Sequence, residues 1–286
     1  MTNVMLSDTD VLTDEVLRKH IRQVTADEIA DYRENGVVKL DGFISPELTA
    51  LILKHVKAAA GYVEDQGLTD AFTDLDNRGE TRTAWYSTHL HQKDAFLGQL
   101  ATCRPLGEAH AKLLGVKSVR LWSDSTNTKE AGGERTPWHQ DMQAFPWDRT
   151  DGAGMWVALV EMIPEMAPLQ HLKGSHKAPW IEPTEKDPNL IFTPGAGITA
   201  AEALKQYEMT PAYHLNPGDT ICHHATTFHG TVHGNETDRI RWTWISQRFD
   251  ADITYIDKRN TRSDGLGLVP GKPLDHEYFP VVYEED

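Results

Sequence analysis

The 286-residue chain holds only two cysteines, Cys103 and Cys222, which are far apart and match no metal-ligand spacing. A disulfide framework of the secreted type is excluded, and a reducing, cytoplasmic setting is expected. Positive charge is also scarce: 28 Lys and Arg face 43 Asp and Glu, the net charge is −15, and no basic run occurs. Affinity for nucleic-acid phosphates rests on concentrated positive charge, so no nucleic-acid partner is expected. No apolar run approaches the roughly 18 residues that a membrane-spanning helix needs. Met1–Asp10 is polar and acidic, without the apolar centre of a signal peptide. No membrane partner follows from such a pattern. What is present, 39% hydrophobic and 25% charged residues, is ordinary globular composition, which excludes collagen, coiled coil and wholesale disorder.

The N-terminal part reads as helix, strand, helix. Thr25-Ala-Asp-Glu28 has the form of a capping box and predicts a helix over about 26–35, with Gly36 as its C-cap. Val37–Leu40 reads as a short strand, and Ser45-Pro46 as the N-cap and first position of a second helix reaching about Lys57. Residues 60–95 are irregular and read as long loops over a site, and 98–114 as a helix broken by Pro105. From Val116 the texture changes to short apolar or alternating runs between Gly and Pro, the pattern of an antiparallel sandwich or barrel. The predicted strands are Val119–Ser123, Gly154–Ile163, Tyr213–Asn216, Thr220–Phe228 and Ile240–Phe249. The stretch 257–275 reads as an exposed tail or crossing loop.

Histidine is abundant, with 14 in the chain and four (His223, His224, His229, His233) within one short segment. His139-Gln-Asp141 places an imidazole and a carboxylate two residues apart. On an extended strand both side chains leave the same face, as the first two ligands of a facial triad would. With so many histidines the tripeptide is no rarer than chance allows, so a metal pair and a surface hydrogen-bonded pair both stay open on spacing alone. Arg241-Trp-Thr-Trp-Ile-Ser-Gln-Arg-Phe249 reads as a strand with residues 241, 243, 245 and 247 on one face.

The surroundings of the pair, Thr136-Pro-Trp-His-Gln-Asp-Met-Gln-Ala-Phe-Pro-Trp147, resemble the iron-binding segment of the phytanoyl-CoA dioxygenase family of non-haem Fe(II)/2-oxoglutarate oxygenases. Met155–Glu161, Pro164–Gln170, Lys173-Gly-Ser-His176, Pro217-Gly-Asp219, Tyr32–Val38 and Gly42–Pro46 resemble further family segments in order, over about residues 25–250. Ala167 stands where the family usually has Gly, and Lys173 where it usually has Pro. The resemblance implies a mainly β fold with flanking helices (α+β): a double-stranded β-helix, or jelly-roll, cupin-like barrel with N-terminal helices packed on it. It implies a single oxygenase domain over 1–286. Its expected parts are an N-terminal extension to about 24, helical support and substrate loops over 25–115, a jelly-roll core over 116–250 and a C-terminal extension over 251–286.

In the family the distal histidine opens His-Gly-Ser/Thr, with an Asn several residues on and, ten to twelve residues later, an Arg that binds 2-oxoglutarate. His229-Gly-Thr231 fits this spacing with Asn235, Arg239 and Arg241, and His233 is the runner-up. The implied metal ligands and catalytic residues are therefore His139, Asp141 and His229. Arg241, with Arg239 as alternative, would hold the cosubstrate carboxylate through its planar donor fork. Thr231 could donate to the same carboxylate, and Trp156 could line the pocket. Fe(II), 2-oxoglutarate and O2 are the implied cofactors, and a small molecule is the implied partner of a monomer or homodimer. Lys129 stands ten residues before His139, where family members often carry a basic residue near the site, but reads as a solvated lysine; His223, His224 and His233 otherwise read as a polar cluster or hydrogen-bonded neighbours of the ligands, His224 as a residue that could orient one, and His171 and His176 as loop residues that do not ligate. Trp85, Trp122, Trp138, Trp147, Trp180, Trp242 and Trp244 read as packing residues. A substrate pocket is expected from loops 60–95 and the segment after Asp141, with Trp85, Tyr86, His89, His91, Phe145, Trp147 and Arg149. The expected activity is hydroxylation of an unactivated C–H of a specialised metabolite, with release of succinate and CO2. A cupin-like metalloprotein of other chemistry and a silent homologue acting as a binding partner are the alternatives.

Overall fold

The capping box at Thr25 forms: Thr25 Oγ1 accepts from the Glu28 amide at 3.2 Å, and the Glu28 carboxylate accepts from the Thr25 amide at 2.8 Å. The computed structural model describes residues 11–63, 67–68, 84–178 and 200–285. Its helices in chain order are α1 (Asp14–Leu17), α2 (Ala26–Asn35), α3 (Pro46–Ala59), α4 (Leu90–Lys93), α5 (Ala95–Ala101), α6 (Arg104–Leu114) and α7 (Ala200–Gln206). Gly36, in the left-handed region at φ +69°, ends α2 and turns the chain into the first strand. A Cβ there would lie 2.3 Å from the His176 ring, so only glycine fits. Ser45 caps α3 and Pro46 opens it, as its sequence predicts. The helix expected over 98–114 is instead two, α5 and α6, and Pro105 sits in the first turn of α6, where no hydrogen bond needs its missing N–H. Among the described residues no helix is long and apolar enough to cross a membrane.

The strands are β1 (Val37–Leu40), β2 (Tyr62–Val63), β3 (Gly67–Leu68), β4 (Ala84–Thr88), β5 (Ser118–Lys129), β6 (Gly152–Ala158), β7 (Gln170–His171), β8 (Thr220–His224), β9 (His229–Gly230), β10 (Thr243–Asp250) and β11 (Val281–Glu284). A seven-stranded antiparallel sheet runs β1-β8-β6-β10-β5-β11, with β4 also on β5. A smaller sheet pairs β7 with β9 and is widened by isolated bridges between His139 and His229 and between Leu172 and Met209. These layers make the cupin-like jelly roll with flanking helices that the sequence predicts. The strand expected at Tyr213–Asn216 is reduced to a bridge between Leu215 and Met162, and the one expected through Phe228 stops at His224. Both segments leave the large sheet to serve the smaller one or its turns.

Alternation sorts the large sheet into two faces. Val38, Leu40, Met155, Val157, Cys222, Trp242 and Trp244 face the helices and join Leu48, Ile52, Leu97, Leu100 and Leu113 in the main apolar core. Trp156, Ala158, Ile221 and Ile245 point the other way, into the barrel, with Met162 and Leu169. A register shift between Gln247 and Arg248 brings Trp122 onto the inner side, where it meets Phe145, Trp147, Phe249 and Phe279 in an aromatic plug at one end of the barrel.

The stretch 257–275 is a mostly exposed crossing loop, as its composition predicts, with Ser263 and Leu274 buried, and the chain on either side of it packs onto the barrel. The Tyr255 amide donates to the Lys272 carbonyl at 2.8 Å, Leu274 and Phe279 are fully buried, and β11 pairs with β5. Phe279 stacks on Trp122 with ring centroids 4.8 Å apart. Replacing a buried phenylalanine by alanine removes its transfer energy and leaves a cavity, so Phe279→Ala should destabilise the fold by about 3–5 kcal/mol. Urea unfolding followed by tryptophan fluorescence measures this; a loss within 0.5 kcal/mol, typical of a surface site, would mean the segment does not pack as described.

Candidate metal and cosubstrate site

His139 and His229 face one another across an antiparallel bridge in which each amide donates to the other's carbonyl at 3.0 Å. The bridge places both imidazoles on one side, with ring centroids 4.2 Å apart. Each ring is oriented by its own backbone: His139 Nδ1 donates to the Pro137 carbonyl at 2.7 Å, and His229 Nδ1 to the Thr227 carbonyl at 3.0 Å. A carbonyl only accepts, so the hydrogen sits on Nδ1 and the Nε2 lone pair is left to bind a cation. Gln140 is extended (φ −118°, ψ 132°), so alternation carries from His139 to Asp141 before the chain tightens into a 3-10 turn over Asp141–Ala144. Asp141 Oδ1 lies 3.6 Å from both His139 Nε2 and His229 Nε2, and the three ligand atoms lie within 4.8 Å of one another.

Electrostatics suit this arrangement. Burial, reinforced by the neighbouring imidazoles, pushes His229 well below the usual histidine range and keeps it neutral, as a ligand must be. Burial by itself would raise the Asp141 carboxyl, but the surrounding imidazoles of His229, His139 and His223 outweigh it and hold the group well below the usual carboxylate range. Two neutral imidazoles and one carboxylate on a single face fit a ferrous ion that keeps positions open for further ligands.

A second feature lies on the same inner face of the barrel. Arg241, fully buried at the start of the β10 segment, donates to the Ala167 carbonyl, to the Asn127 carbonyl at 3.1 Å and to Asn127 Oδ1 at 3.3 Å, all neutral acceptors. Among the described residues its Nε is buried with no partner, and its guanidinium lies 5.3 Å from the Trp156 ring centroid. Lys129 is not solvated as expected from sequence: it is buried, and its Nζ donates to Thr231 Oγ1 at 3.3 Å. Burial, with the Arg241 charge, pushes the Lys129 ammonium down to about 6, and burial alone pushes Arg241 down to about 9. No carboxylate of a described residue forms an ion pair with either. Cations withdrawn from water without a counter-ion are strongly destabilising, so this chamber suits an anion.

Ala167 adds strain beside it, with φ +53° and ψ 59°, a left-handed conformation that a side chain disfavours by roughly 1–2 kcal/mol. This explains why glycine is usual there. Asn235 fixes the return path after His229 by donating to the carbonyls of Lys129, Glu130 and Arg239 at 3.3, 2.9 and 2.7 Å.

Other expected residues lie elsewhere. Arg239 points outward, half-exposed, and pairs with Glu161 at 3.2 Å, so Arg241 alone of the two faces the chamber. His233 is held by the Gly234 carbonyl and stands apart from the three clustered side chains. His224 accompanies Thr226 and the His176 ring, whereas His223 reaches Asp141, with Nε2 3.4 Å from Oδ2. Phe145 and Trp147, expected to line a substrate pocket, are packed into the aromatic plug. Arg149 donates to the Asp252 carbonyl at the surface. His91 pairs with Asp124 at 2.6 Å. The side chains of Trp85, Tyr86 and Trp180 lie outside the described residues. Sequence alone favours a solvated Lys129, although the family often carries a basic residue near the site at this position, reads His223 as a polar or hydrogen-bonded neighbour of the ligands, and marks Gln247 only by its inner-face parity with Arg241.

Fold and site together define an iron- and 2-oxoglutarate-dependent oxygenase of the jelly-roll class. The model of the family described as phytanoyl-CoA dioxygenase (PhyH) matches residues 32–243, and the chain belongs to that family. A curated relative from Stutzerimonas stutzeri, a probable alpha-ketoglutarate-dependent hypophosphite dioxygenase, is 25% identical over 228 residues, covering 77% of each chain. The carbocyclase SnoK from nogalamycin biosynthesis is a structural neighbour at 21% identity, with a TM-score of 0.71, covering 90% of this chain and 96% of its own. The epimerase SnoN, solved with Fe3+, alpha ketoglutarate and nogalamycin RO, aligns at 24% identity with a TM-score of 0.69 over 90% and 97%.

After anaerobic loading with Fe(II) and desalting, the wild-type protein should retain iron and His229→Ala should lose it, while His233→Ala keeps the wild-type content. Iron retained by His229→Ala and lost from His233→Ala would reverse the assignment of the distal ligand.

Proposed function

We propose that His139, Asp141 and His229 hold Fe(II), that Arg241, Lys129 and Thr231 hold the distal carboxylate of 2-oxoglutarate, and that the chain oxidises a small molecule. The observation that carries this reading is the buried Arg241 guanidinium and Lys129 amine, without a carboxylate partner among the described residues, on the inner barrel face that also carries the support of Asp141. A bare hydrolytic metal site has no use for them, whereas a dicarboxylic cosubstrate needs them. Arg241 offers a planar fork of donors, and its orphan Nε supplies one hydrogen bond still to be made. Trp156 walls the guanidinium on one face, and Thr231 is already polarised by Lys129.

Bound iron would supply the coupling of oxidative decarboxylation, yielding succinate and CO2, to oxidation of a substrate C–H. The protein's share is placement. The backbone-locked imidazoles fix the open face, the cations orient the cosubstrate, and the apolar wall of Trp156, Leu169 and Ile245 excludes water. Hydroxylation of an unactivated C–H is the default outcome, and a specialised metabolite is the substrate class we favour. The intact Asp141 supports oxygenation rather than halogenation, since related halogenases replace this carboxylate with a small residue so that halide can bind.

With Fe(II), ascorbate, O2 and 2-oxoglutarate, the wild-type protein should release succinate and His139→Ala should not. Absence of succinate in any substrate screen, with iron content unaltered in His139→Ala, would sink the reading. Arg241→Met should raise the KM for 2-oxoglutarate about 30-fold or more, from loss of about 2 kcal/mol or more when one partner of a buried charge pair is removed. Arg241→Lys should fall between, because a point charge lacks the fork.

Lys129 also predicts a pH effect. Its depressed value leaves it largely neutral above about pH 6 in the free site. An incoming carboxylate favours the ammonium and raises its pKa, so binding takes up a proton and affinity falls as pH rises above about 6. Calorimetry of 2-oxoglutarate binding in buffers of different ionisation enthalpy measures this uptake, and Lys129→Met should abolish it.

A further inference from the structure

Asp141 Oδ2, the oxygen turned away from His139 and His229, is met by two donors from the large sheet. Gln247 Nε2 donates to it at 3.0 Å, and His223 Nε2 faces it at 3.4 Å. These residues belong to different strands, and Gly154 on β6 lies between them in register, paired with Gln247 on one side and His223 on the other. A Cβ on Gly154 would fall 3.2 Å from His223 Nε2 and 3.7 Å from Gln247 Cγ. The absent side chain therefore lets the two donors converge on one oxygen.

Behind them, His171 Nε2 lies 3.2 Å from His223 Nδ1, and His171 Nδ1 is buried without a partner among the described residues. The direction of the hydrogens follows from these contacts. A carboxylate can only accept, so His223 carries its hydrogen on Nε2. His171 Nδ1 has nothing to donate to, and a buried donor without an acceptor is strongly disfavoured, so His171 carries its hydrogen on Nε2 and gives it to His223 Nδ1. The lone pair left on His171 Nδ1 is the cheaper of the two orphans. His171 in turn lies opposite His229 in the smaller sheet, with ring centroids 5.7 Å apart. Two imidazoles, an amide and a glycine thus span both layers of the barrel around one carboxylate oxygen.

We infer that Gln247, His223 and His171, with the gap at Gly154, are positioning residues that hold Asp141 so that only Oδ1 is offered to the metal. This rests on the iron reading proposed above and extends it to residues that touch neither metal nor cosubstrate. A carboxylate free to rotate could chelate through both oxygens and take an extra coordination position. One pinned at Oδ2 leaves that position open.

The test is metal binding, not turnover. Co(II) and Fe(II) dissociation constants are measured anaerobically by competition with a chromogenic chelator, with the ligand-field absorption of the Co(II) protein and the thermal unfolding of the metal-free protein recorded alongside. Gln247→Met and His223→Phe should each weaken metal binding by about 10- to 100-fold, the usual effect of losing a partner behind a ligand, and should alter the Co(II) band. His171→Phe should act in the same direction and more weakly, because it only orients His223. Gly154→Ala should shift the band by displacing His223, with the backbone undisturbed. Wild-type affinity and an unchanged band in both Gln247→Met and His223→Phe would overturn the inference. Should His223→Phe fail to fold, Gln247→Met decides, since its metal-free protein is expected to melt as the wild type does. A wild-type protein that binds neither ion would instead overturn the iron reading itself, which separates the two failures.

Discussion

An ionised carboxylate held between two protein layers must be met by donors or cations on every side, and Asp141 is where this constraint acts. Oδ2 faces an amide and a third imidazole, and Oδ1 faces the bare Nε2 atoms of His139 and His229, a side that a bound cation would complete. Much of the inner architecture answers that demand. The short sheet carries His229 between His139 and His171, and the large sheet carries His223, Gly154 and Gln247 in one row. Neither layer alone could surround the group. The packing of one sheet on the other and the chemistry of the centre are one requirement, which is why a jelly roll with polar residues between its layers is stable here at all.

Along β10 the inner face runs through a gradient of polarity. Arg241 and Thr243 lie at one end with Lys129, Ile245 touches Trp156 and Leu169, Gln247 reaches Asp141, and Phe249 closes the far end in the aromatic plug. A single strand with period-two alternation therefore presents a cationic recess, an apolar wall, a ligand support and a floor. The outer side of the same strand is given to packing, with Trp244 in the helix-facing core and Arg248 buried against the Ala101 carbonyl at 2.5 Å.

Local signals made part of this legible in the sequence. The capping box at Thr25, the Gly36 stop and the Ser45-Pro46 start are decided by neighbours in the chain, and all three form. His139 and Asp141 were readable because two-residue spacing survives wherever the chain is extended, and His229 because a glycine and an arginine follow it at family spacing. The partners of Lys129, His223, His171 and Gln247 were not, because they come from strands far away in sequence and no spacing rule spans that distance. The stretch 257–275 was legible as a loop from its Gly- and Pro-rich composition, whereas the anchoring of Leu274 and, beyond it, of Phe279 in the aromatic plug depends partly on Trp122 and Phe145, more than a hundred residues earlier. Pro105 shows the same limit at short range, since a proline between apolar residues marks a helix start as readily as a break.

The reciprocal amide bonds between His139 and His229 have a consequence for exchange with solvent. The segments bearing the two imidazoles cannot part without rupturing both bonds, and a bound cation would add its own cross-link between them. Deuterium uptake at these two backbone positions should therefore slow when the centre is filled, making the main chain itself a gauge of occupancy.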